Sequence, residues 1–185
     1  MRDRDGVSVE RATVADWQDQ VFEVLAANDI RQVAYVPDAG HARLIARAHA
    51  EPSMQAVVLT TEEEGIALAS GAWLGGQRAA LLMQSSGVGN CVNMLSLIGN
   101  CRFPLLTLVT MRGEWAEFNP WQMPMGRATQ AALELMGVTV FRVTETEDVA
   151  PTVQAAAEAA FTSDQAVAVL LSQRLLGRKL WVGEQ

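Results

Sequence analysis

Three consecutive glutamates, Glu62 to Glu64, stand where a short apolar run ends and a segment of small residues begins. The run 56–59 is typical of a buried strand, and residues 65–71 indicate a helix that packs closely against another surface. Carboxylates in the first turn of a helix complement its dipole. The junction between a strand and a helix is also where open α/β sheets bind their ligands. These residues alone leave a structural role and a chemical role open.

A second polar segment, residues 84–90, follows an apolar run at 79–83, and its Gly87 and Gly89 predict a loop that opens a helix. It does not match a dinucleotide-binding fingerprint, because Val92 occupies the third glycine position. The chain contains no P-loop motif and no Gly-x-Ser-x-Gly elbow, so neither a P-loop enzyme nor an α/β-hydrolase is expected.

These segments need a scaffold, and the chain supplies apolar runs that alternate with helical patterns. Strands are predicted at 32–36, 55–60, 79–83, 104–109, 138–141 and 166–171. The pattern predicts an α/β fold: a single three-layer domain whose mostly parallel six-stranded sheet is covered by helices on both faces. We expect this domain to span residues 13–175.

The ends of the chain and one internal segment break this alternation. Residues 1–12 are polar and are predicted to be flexible. A capping box at Thr13 to Asp16 predicts a first helix that ends near Asn28. Residues 111–127 are aromatic and show little periodicity, which predicts a long functional or partner-binding loop before a helix at 128–136. The tail, residues 176–185, is expected to dock on another subunit.

Composition excludes several classes of function. The net charge of −7 and the pI near 4.8 argue against a nucleic-acid partner. The sequence has no apolar run of membrane-spanning length and no signal peptide, which predicts a cytoplasmic protein without a membrane partner. Cys91 and Cys101 are expected to be reduced core residues. The two histidines, His41 and His49, have no companions at metal-ligand spacing, so no zinc site is expected.

In their order along the chain, these motifs resemble the pyrimidine-binding domain of thiamine-diphosphate enzymes. The resemblance is carried by Glu62 nine residues before Gly71, by residues 83–90 and by Pro104 to Leu106. Residues 62–65, 112–114 and 124–129 are most similar to the alpha subunit of sulfopyruvate decarboxylase and to the matching part of phosphonopyruvate decarboxylase. The resemblance covers roughly residues 13–175 and rests on several ordered motifs.

The resemblance implies a decarboxylase that acts on a short anionic 2-oxo acid such as 3-sulfopyruvate or 3-phosphonopyruvate. Glu62 would be the catalytic residue that shares a proton with N1′ of the cofactor's aminopyrimidine ring, since a carboxyl group shielded from water is biased toward its protonated form. The residues implied to bind the cofactor are Glu62, Gln84, Ser86, Gly87, Gly89 and Asn90. An alternative role for Asn90 is to cap a helix.

The family holds the diphosphate and its Mg²⁺ with a Gly-Asp-Gly motif in a second domain, and this sequence has no such motif. The resemblance therefore implies half an active site, completed by a separate diphosphate-binding, beta-type subunit in a hetero-oligomer. A homodimer of this chain is also plausible. Alone, the chain is expected to be inactive.

Four residues are candidates for substrate binding. Arg112 and Arg127 carry guanidinium groups suited to a sulfonate or phosphonate, and salt bridges are their alternative role. Asp38 and His41 follow the first strand and would face the substrate, or else be a turn residue and a surface histidine. Met111 stands where relatives have a histidine or a tryptophan, which leaves the exact substrate open. The alternative functions are a related enzyme subunit with another substrate or a carboligation activity, and a non-catalytic assembly or regulatory module of the same fold.

Overall fold

The computed structural model describes residues 17–177. It contains one sheet of six strands in the order β2-β1-β3-β4-β6-β5, and all neighbouring strands are parallel. The strands are β1 Ile30–Tyr35, β2 Gln55–Val58, β3 Arg78–Gln84, β4 Leu105–Thr110, β5 Thr139–Val143 and β6 Ala166–Leu171. The predicted α/β class and six strands are confirmed, and the sheet is entirely parallel. The predictions for residues 1–12, for the capping box and for most of the tail lie outside the described residues.

Helices cover both faces of the sheet. They are α1 Trp17–Ala27, α2 Ala42–Ala50, α3 Glu62–Leu74, α4 Ser85–Cys91, α5 Leu95–Cys101, α6 Met123–Leu135, α7 Val149–Thr162 and α8 Gln173–Leu176. One core joins α1, α2 and α7 to the sheet, and a second core joins α3 to α6 to its other face. Successive strand side chains enter opposite cores: Leu82 belongs to the first and Leu81 to the second. This arrangement is the predicted three-layer domain.

Two predicted loops are wrong in extent. Residues 85–91 form helix α4, although Gly87 and Gly89 suggested a loop. The loop after β4 is shorter than predicted because α6 begins at Met123, and Pro124 occupies its first turn, where the missing N–H of proline costs no hydrogen bond. Cys91 is buried as expected, whereas Cys101 is exposed.

The chain order of the strands creates a crevice at the carboxyl edge of the sheet. From β1 the chain runs through α2 to β2 on one side, and then through α3 to β3 on the other side of β1. Such a switch point is where open α/β sheets bind ligands. The polar segments after β1, β2, β3 and β4 all meet at this edge.

None of the helices within residues 17–177 is long and apolar enough to cross a membrane. The cytoplasmic location stays a prediction.

Candidate active site

Glu62 is the only one of the three adjacent glutamates that turns toward the protein. It is the first residue of α3, and 8% of its surface is exposed, while Glu63 and Glu64 are exposed. The Glu64 carboxylate instead accepts a hydrogen bond of 2.8 Å from the backbone N–H of Thr60, which satisfies a free donor at the start of the helix. The helix-terminus role therefore belongs to Glu64, and Glu62 is left for another role.

Asn90 and Gly87, both on α4, hold the Glu62 carboxyl group. Asn90 Nδ2 donates a hydrogen bond of 2.8 Å to Glu62 Oε2. A Cβ atom at Gly87 would overlap the Glu62 carboxyl group, so only glycine allows α4 to lie this close. The structure thus brings together three of the residues predicted to bind the cofactor.

Asp38 joins the ends of three neighbouring strands. Its Oδ2 accepts hydrogen bonds from Thr110 Oγ1 at 2.6 Å and from Gly40 N at 3.1 Å. Its Oδ1 accepts one of 3.0 Å from the side-chain amide of Gln84, whose Oε1 accepts another of 3.1 Å from Ser86 Oγ. Asp38 is therefore a turn residue that also orients Gln84 and Ser86, two further predicted site residues.

His41 is not a surface histidine, so that alternative is wrong. Its ring is fully buried, and its Nε2 lies 3.1 Å from the backbone oxygen of Leu108. Burial lowers the pKa of His41, and a neutral ring donates Nε2–H to that oxygen. Its Nδ1 has no hydrogen-bond partner among the described residues. Because the ring is enclosed, the structure does not place His41 where it would contact a substrate.

Arg112 is paired inside the chain rather than open to a substrate. It is 6% exposed, and its guanidinium donates to both carboxylate oxygens of Glu117, from Nε at 2.6 Å and from Nη2 at 2.5 Å. The hydrogen bonds from Arg112 lower the pKa of Glu117 to about 2, and the backbone N–H groups of Asn119 and Gly113 also contribute. This geometry favours the alternative of a salt bridge, although a buried one.

Arg127 and Gly89 lie away from the Glu62 carboxyl group. With about 3.6 residues per turn, Arg127 falls on the exposed side of α6, whereas Gly126, Thr129 and Leu133 face the protein. Arg127 makes no hydrogen bond or ion pair with the residues that the structure describes. Gly89 is exposed, and a Cβ atom there would lie 3.3 Å from Met125 Sδ.

The sequence interpretation missed several residues that support this edge. Ser85 Oγ accepts a hydrogen bond of 3.1 Å from Arg112 N, and Thr110 binds Asp38. Both residues end or follow a predicted strand, so the rule that parallel strands share a carboxyl edge would have found them. Glu117 and Gln173, which meet at 2.9 Å, have no comparable signal in the sequence.

The arrangement offers a shielded carboxyl group at the switch point of the sheet. One of its oxygens is held by an amide, and Oε1 makes no hydrogen bond with the described residues. Such a group can accept a proton from, or return it to, a nitrogen of a bound ring, and the missing side chain of Gly87 leaves room for the carboxyl group itself. Within residues 17–177, no group of three or more His, Cys, Asp and Glu side chains is placed to hold a metal ion.

Comparison with known proteins gives relatives that include alpha subunits of sulfopyruvate decarboxylase. No protein-family model matches the chain. It is 32% identical over 152 residues to the sulfopyruvate decarboxylase subunit alpha of Methanococcus maripaludis, which covers 82% of this chain and 91% of that protein. It is 37% identical over 123 residues to the same subunit of Methanothermobacter thermautotrophicus, which covers 66% of this chain and 74% of that protein.

Two further similarities involve longer proteins. The chain is 36% identical over 132 residues to the phosphonopyruvate decarboxylase of Streptomyces viridochromogenes and matches 33% of its length. The fold is similar to that of the 2-oxoglutarate:ferredoxin oxidoreductase of Magnetococcus marinus, with a TM-score of 0.72 at 17% identity over 92% of this chain and 34% of the other.

Proposed function

Because this chain belongs to the family of sulfopyruvate decarboxylase alpha subunits, we propose that it is the pyrimidine-binding subunit of a thiamine-diphosphate-dependent 2-oxo acid decarboxylase. Its relatives are carboxy-lyases, and their designation as alpha subunits implies a complex with another subunit. The proposal goes further in naming the cofactor, the half of its site that this chain supplies and the class of substrate.

The observation that carries the proposal is the position of Glu62. It is a buried carboxylate at a strand–helix junction, next to a glycine whose missing side chain gives the carboxyl group its space and next to an amide that orients one oxygen. Glu62, Gly87 and Asn90 therefore fit the aminopyrimidine of thiamine diphosphate. When bound, the cofactor supplies the nucleophilic carbon and the electron sink for decarboxylation. Glu62 Oε1 would hold the proton exchanged with the ring, while α3 and α4 bury most of the Glu62 side chain.

We assign the diphosphate and Mg²⁺ to a beta-type partner subunit. This division agrees with the missing Gly-Asp-Gly motif in the sequence. The carboxyl edge of the sheet would then be one wall of a site at the subunit interface, and the chain alone would be inactive.

The substrate class follows from the relatives, which are named for sulfopyruvate and phosphonopyruvate. Of the two candidate arginines, Arg127 is the one whose guanidinium group is available to an anionic substrate, since Arg112 is paired with Glu117. The same pairing, together with the Asp38 carboxylate at the edge, favours a second candidate, a 2-oxo acid without a second negative group. A negative carboxylate near the substrate would repel a sulfonate.

The first experiment is calorimetric titration of thiamine diphosphate and Mg²⁺ into this chain alone and into its mixture with a candidate beta subunit. We expect tight binding only in the mixture, followed by CO₂ release from a panel of sulfopyruvate, phosphonopyruvate and pyruvate. Tight binding to the chain alone would contradict the division of the site. If the complex turned over pyruvate as fast as sulfopyruvate and phosphonopyruvate, the result would favour a 2-oxo acid without a second negative group.

Two matched variants test the role of Glu62. Glu62→Gln is expected to lower kcat in the complex by roughly 100-fold or more, because it removes the group that exchanges the proton. Glu63→Gln, one residue along and exposed, should stay within about twofold. Near-normal turnover by Glu62→Gln would refute the assignment.

A further inference from the structure

We propose that Asn90 is a positioning residue for Glu62: its amide binds one carboxylate oxygen and so selects the other, Oε1, as the one that faces the cofactor. This inference rests on the proposed function. It assigns to Asn90 a role different from both roles expected from the sequence, which were direct contact with the cofactor and capping of a helix.

The capping role does not agree with the location of Asn90. Asn90 lies in the last turn of α4, and the N-cap positions of α4 and α5 are Gln84 and Met94. Its side-chain amide instead reaches across to α3 and donates to Glu62 Oε2 at 2.8 Å. The Asn90 amide therefore links α4 to α3 through one carboxylate oxygen of Glu62. It restrains that oxygen and does not cap a helix.

Gly87 closes the other side of the same arrangement. Gly87 and Asn90 are three residues apart on α4, so they lie on the same face of the helix. At Gly87 the backbone itself lies against the Glu62 carboxyl group, and any side chain there would overlap it. The Glu62 carboxyl group therefore contacts the backbone of Gly87 and the side-chain amide of Asn90, and the two contacts together restrict its rotation.

The restriction makes the two oxygens of Glu62 chemically different. An amide N–H stabilises the unprotonated oxygen that accepts its hydrogen bond. Oε2 is therefore held as an acceptor, and a proton on the group goes to Oε1, which has no hydrogen-bond partner within residues 17–177. Asn90 would thus present the proton-carrying oxygen to the ring without touching the cofactor.

The test compares three substitutions at position 90 with one control in the assembled enzyme. Asn90→Leu keeps the size and removes the donor, Asn90→Ala removes the side chain, and Asn90→Gln keeps an amide. Asn93→Ala, at an exposed asparagine three residues along, is the matched control. We expect Asn90→Leu and Asn90→Ala to lower kcat roughly 10-fold, the effect of losing a hydrogen bond to a charged group, with little change in KM. Asn90→Gln should recover part of that loss, and Asn93→Ala should match the wild type.

A double-variant cycle separates positioning from direct contact. If Asn90 acts through Glu62, adding Asn90→Leu to Glu62→Gln should lower kcat by less than about twofold, whereas the same change lowers kcat roughly 10-fold in the wild type. A loss in the Glu62→Gln background as large as in the wild type would mean that Asn90 contacts the cofactor itself, and this result would overturn the proposal.

A measurement on the full chain alone distinguishes this proposal from the proposed function. The ¹³C signal of the Glu62 side-chain carboxyl, assigned by its loss in Glu62→Gln, should move in Asn90→Leu and stay in place in Asn93→Ala. If it moves but no complex binds thiamine diphosphate, the contact between the two side chains stands and the proposed function fails. If the enzyme is active and the signal does not move, the proposed function stands and the role of Asn90 is refuted.

Discussion

At the scale of single residues, Glu62 differs from its two neighbours because the first turn of α3 points the Glu62 side chain toward the protein. Its neighbours Glu63 and Glu64 are exposed, and Glu64 bonds to the backbone at the start of the helix. Glu62 and Glu63 are adjacent in α3, yet the Glu63 carboxylate faces solvent and the Glu62 carboxylate lies against α4. The consequences of this placement can be tested at Gly87 and at the buried His41.

Gly87→Ala should displace the Glu62 carboxyl group, because the added Cβ atom would overlap it. The atoms that the new Cβ would meet all belong to the Glu62 side chain, so the carboxyl group must leave the position in which Asn90 holds it. We expect at least a roughly 10-fold loss of thiamine-diphosphate affinity in the complex, measured by calorimetry. Gly99→Ala is the control, because a Cβ atom at Gly99 meets nothing within 4 Å. Equal affinity of the two variants would contradict the close packing at Gly87.

The buried His41 predicts a loss of stability in mild acid. Burial lowers the pKa of His41 below the ordinary histidine value of 6.5, so in mild acid the unfolded chain binds a proton that the folded chain does not. Stability therefore falls as the pH falls below about 6.5. Urea unfolding at about pH 7.5 and about pH 5.5 should show this loss in the wild type and a smaller one in His41→Gln. Leu135→Ala, at a position with 84% of the residue exposed, is the control and should retain the wild-type difference.

At the scale of elements, the segment between β4 and α6, residues 111–122, is bonded to several strand ends at the carboxyl edge, and we call it the clamp. Glu117 accepts hydrogen bonds from Arg112, Gly113 N, Asn119 N and Gln173. The clamp continues to α4, because Arg112 N donates to Ser85 Oγ. Glu114 extends it by accepting from Gln173 N at 2.7 Å and by pairing with Arg142 of β5. One carboxylate thus ties this segment to the end of β6, and the same segment supports the helix that orients Glu62.

Glu117 makes this clamp sensitive to acid. Its pKa is lowered from 4.5 to about 2 in the folded chain, mainly by Arg112. It therefore contributes stability that is fully present above about pH 4.5 and is lost as the pH falls toward about 2. The shift corresponds to on the order of 3 kcal/mol at neutral pH, and the side chain is only 1% exposed, so screening by solvent is small.

Glu117→Gln should lower the free energy of unfolding at neutral pH by about 3 kcal/mol or more, because it leaves the Arg112 charge buried without its partner. The variant should also lose less stability than the wild type between about pH 5 and about pH 3. Urea unfolding at both pH values measures the two effects. Glu147→Gln, at an exposed position, is the control, and a wild-type acid response in Glu117→Gln would refute the assigned role.

For the whole molecule, stability comes from two cores on the two faces of one sheet. The central strands β3, β4 and β6 are almost completely buried, whereas the edge strands β2 and β5 are only partly so. The carboxyl edge is therefore built on the most deeply buried strands of the sheet, which suits a site whose groups must be held in place.

Leu106→Ala in β4 should reduce the free energy of unfolding by about 2–5 kcal/mol, because the side chain is fully buried in the first core and its loss leaves a cavity. Leu135→Ala at the end of α6, where 84% of the residue is exposed, should stay within about 0.5 kcal/mol. Similar losses in the two variants, measured by urea unfolding, would contradict this division between core and surface.

Much of this organisation could be predicted from the chain alone. Continuous apolar runs and helical spacing predicted the six strands and the three layers, since burial on both faces of a parallel sheet demands that pattern. The same local signals placed Glu62 and the segment 84–90 at strand ends, where parallel strands share an edge. The resemblance to the pyrimidine-binding domain led to the family that the comparisons support.

Contacts between distant segments decided the rest. Helix α4 forms over Gly87 and Gly89 because α3 and α6 pack closely on both sides of it, which local propensity does not report. His41 is buried where its ring meets Leu108 of β4, 67 residues along the chain. Arg112 pairs with Glu117 in its own segment, and Gln173, which follows β6, also binds Glu117. A sequence records which side chains are polar, but whether a polar group faces solvent, a ligand or another side chain depends on what the fold brings next to it.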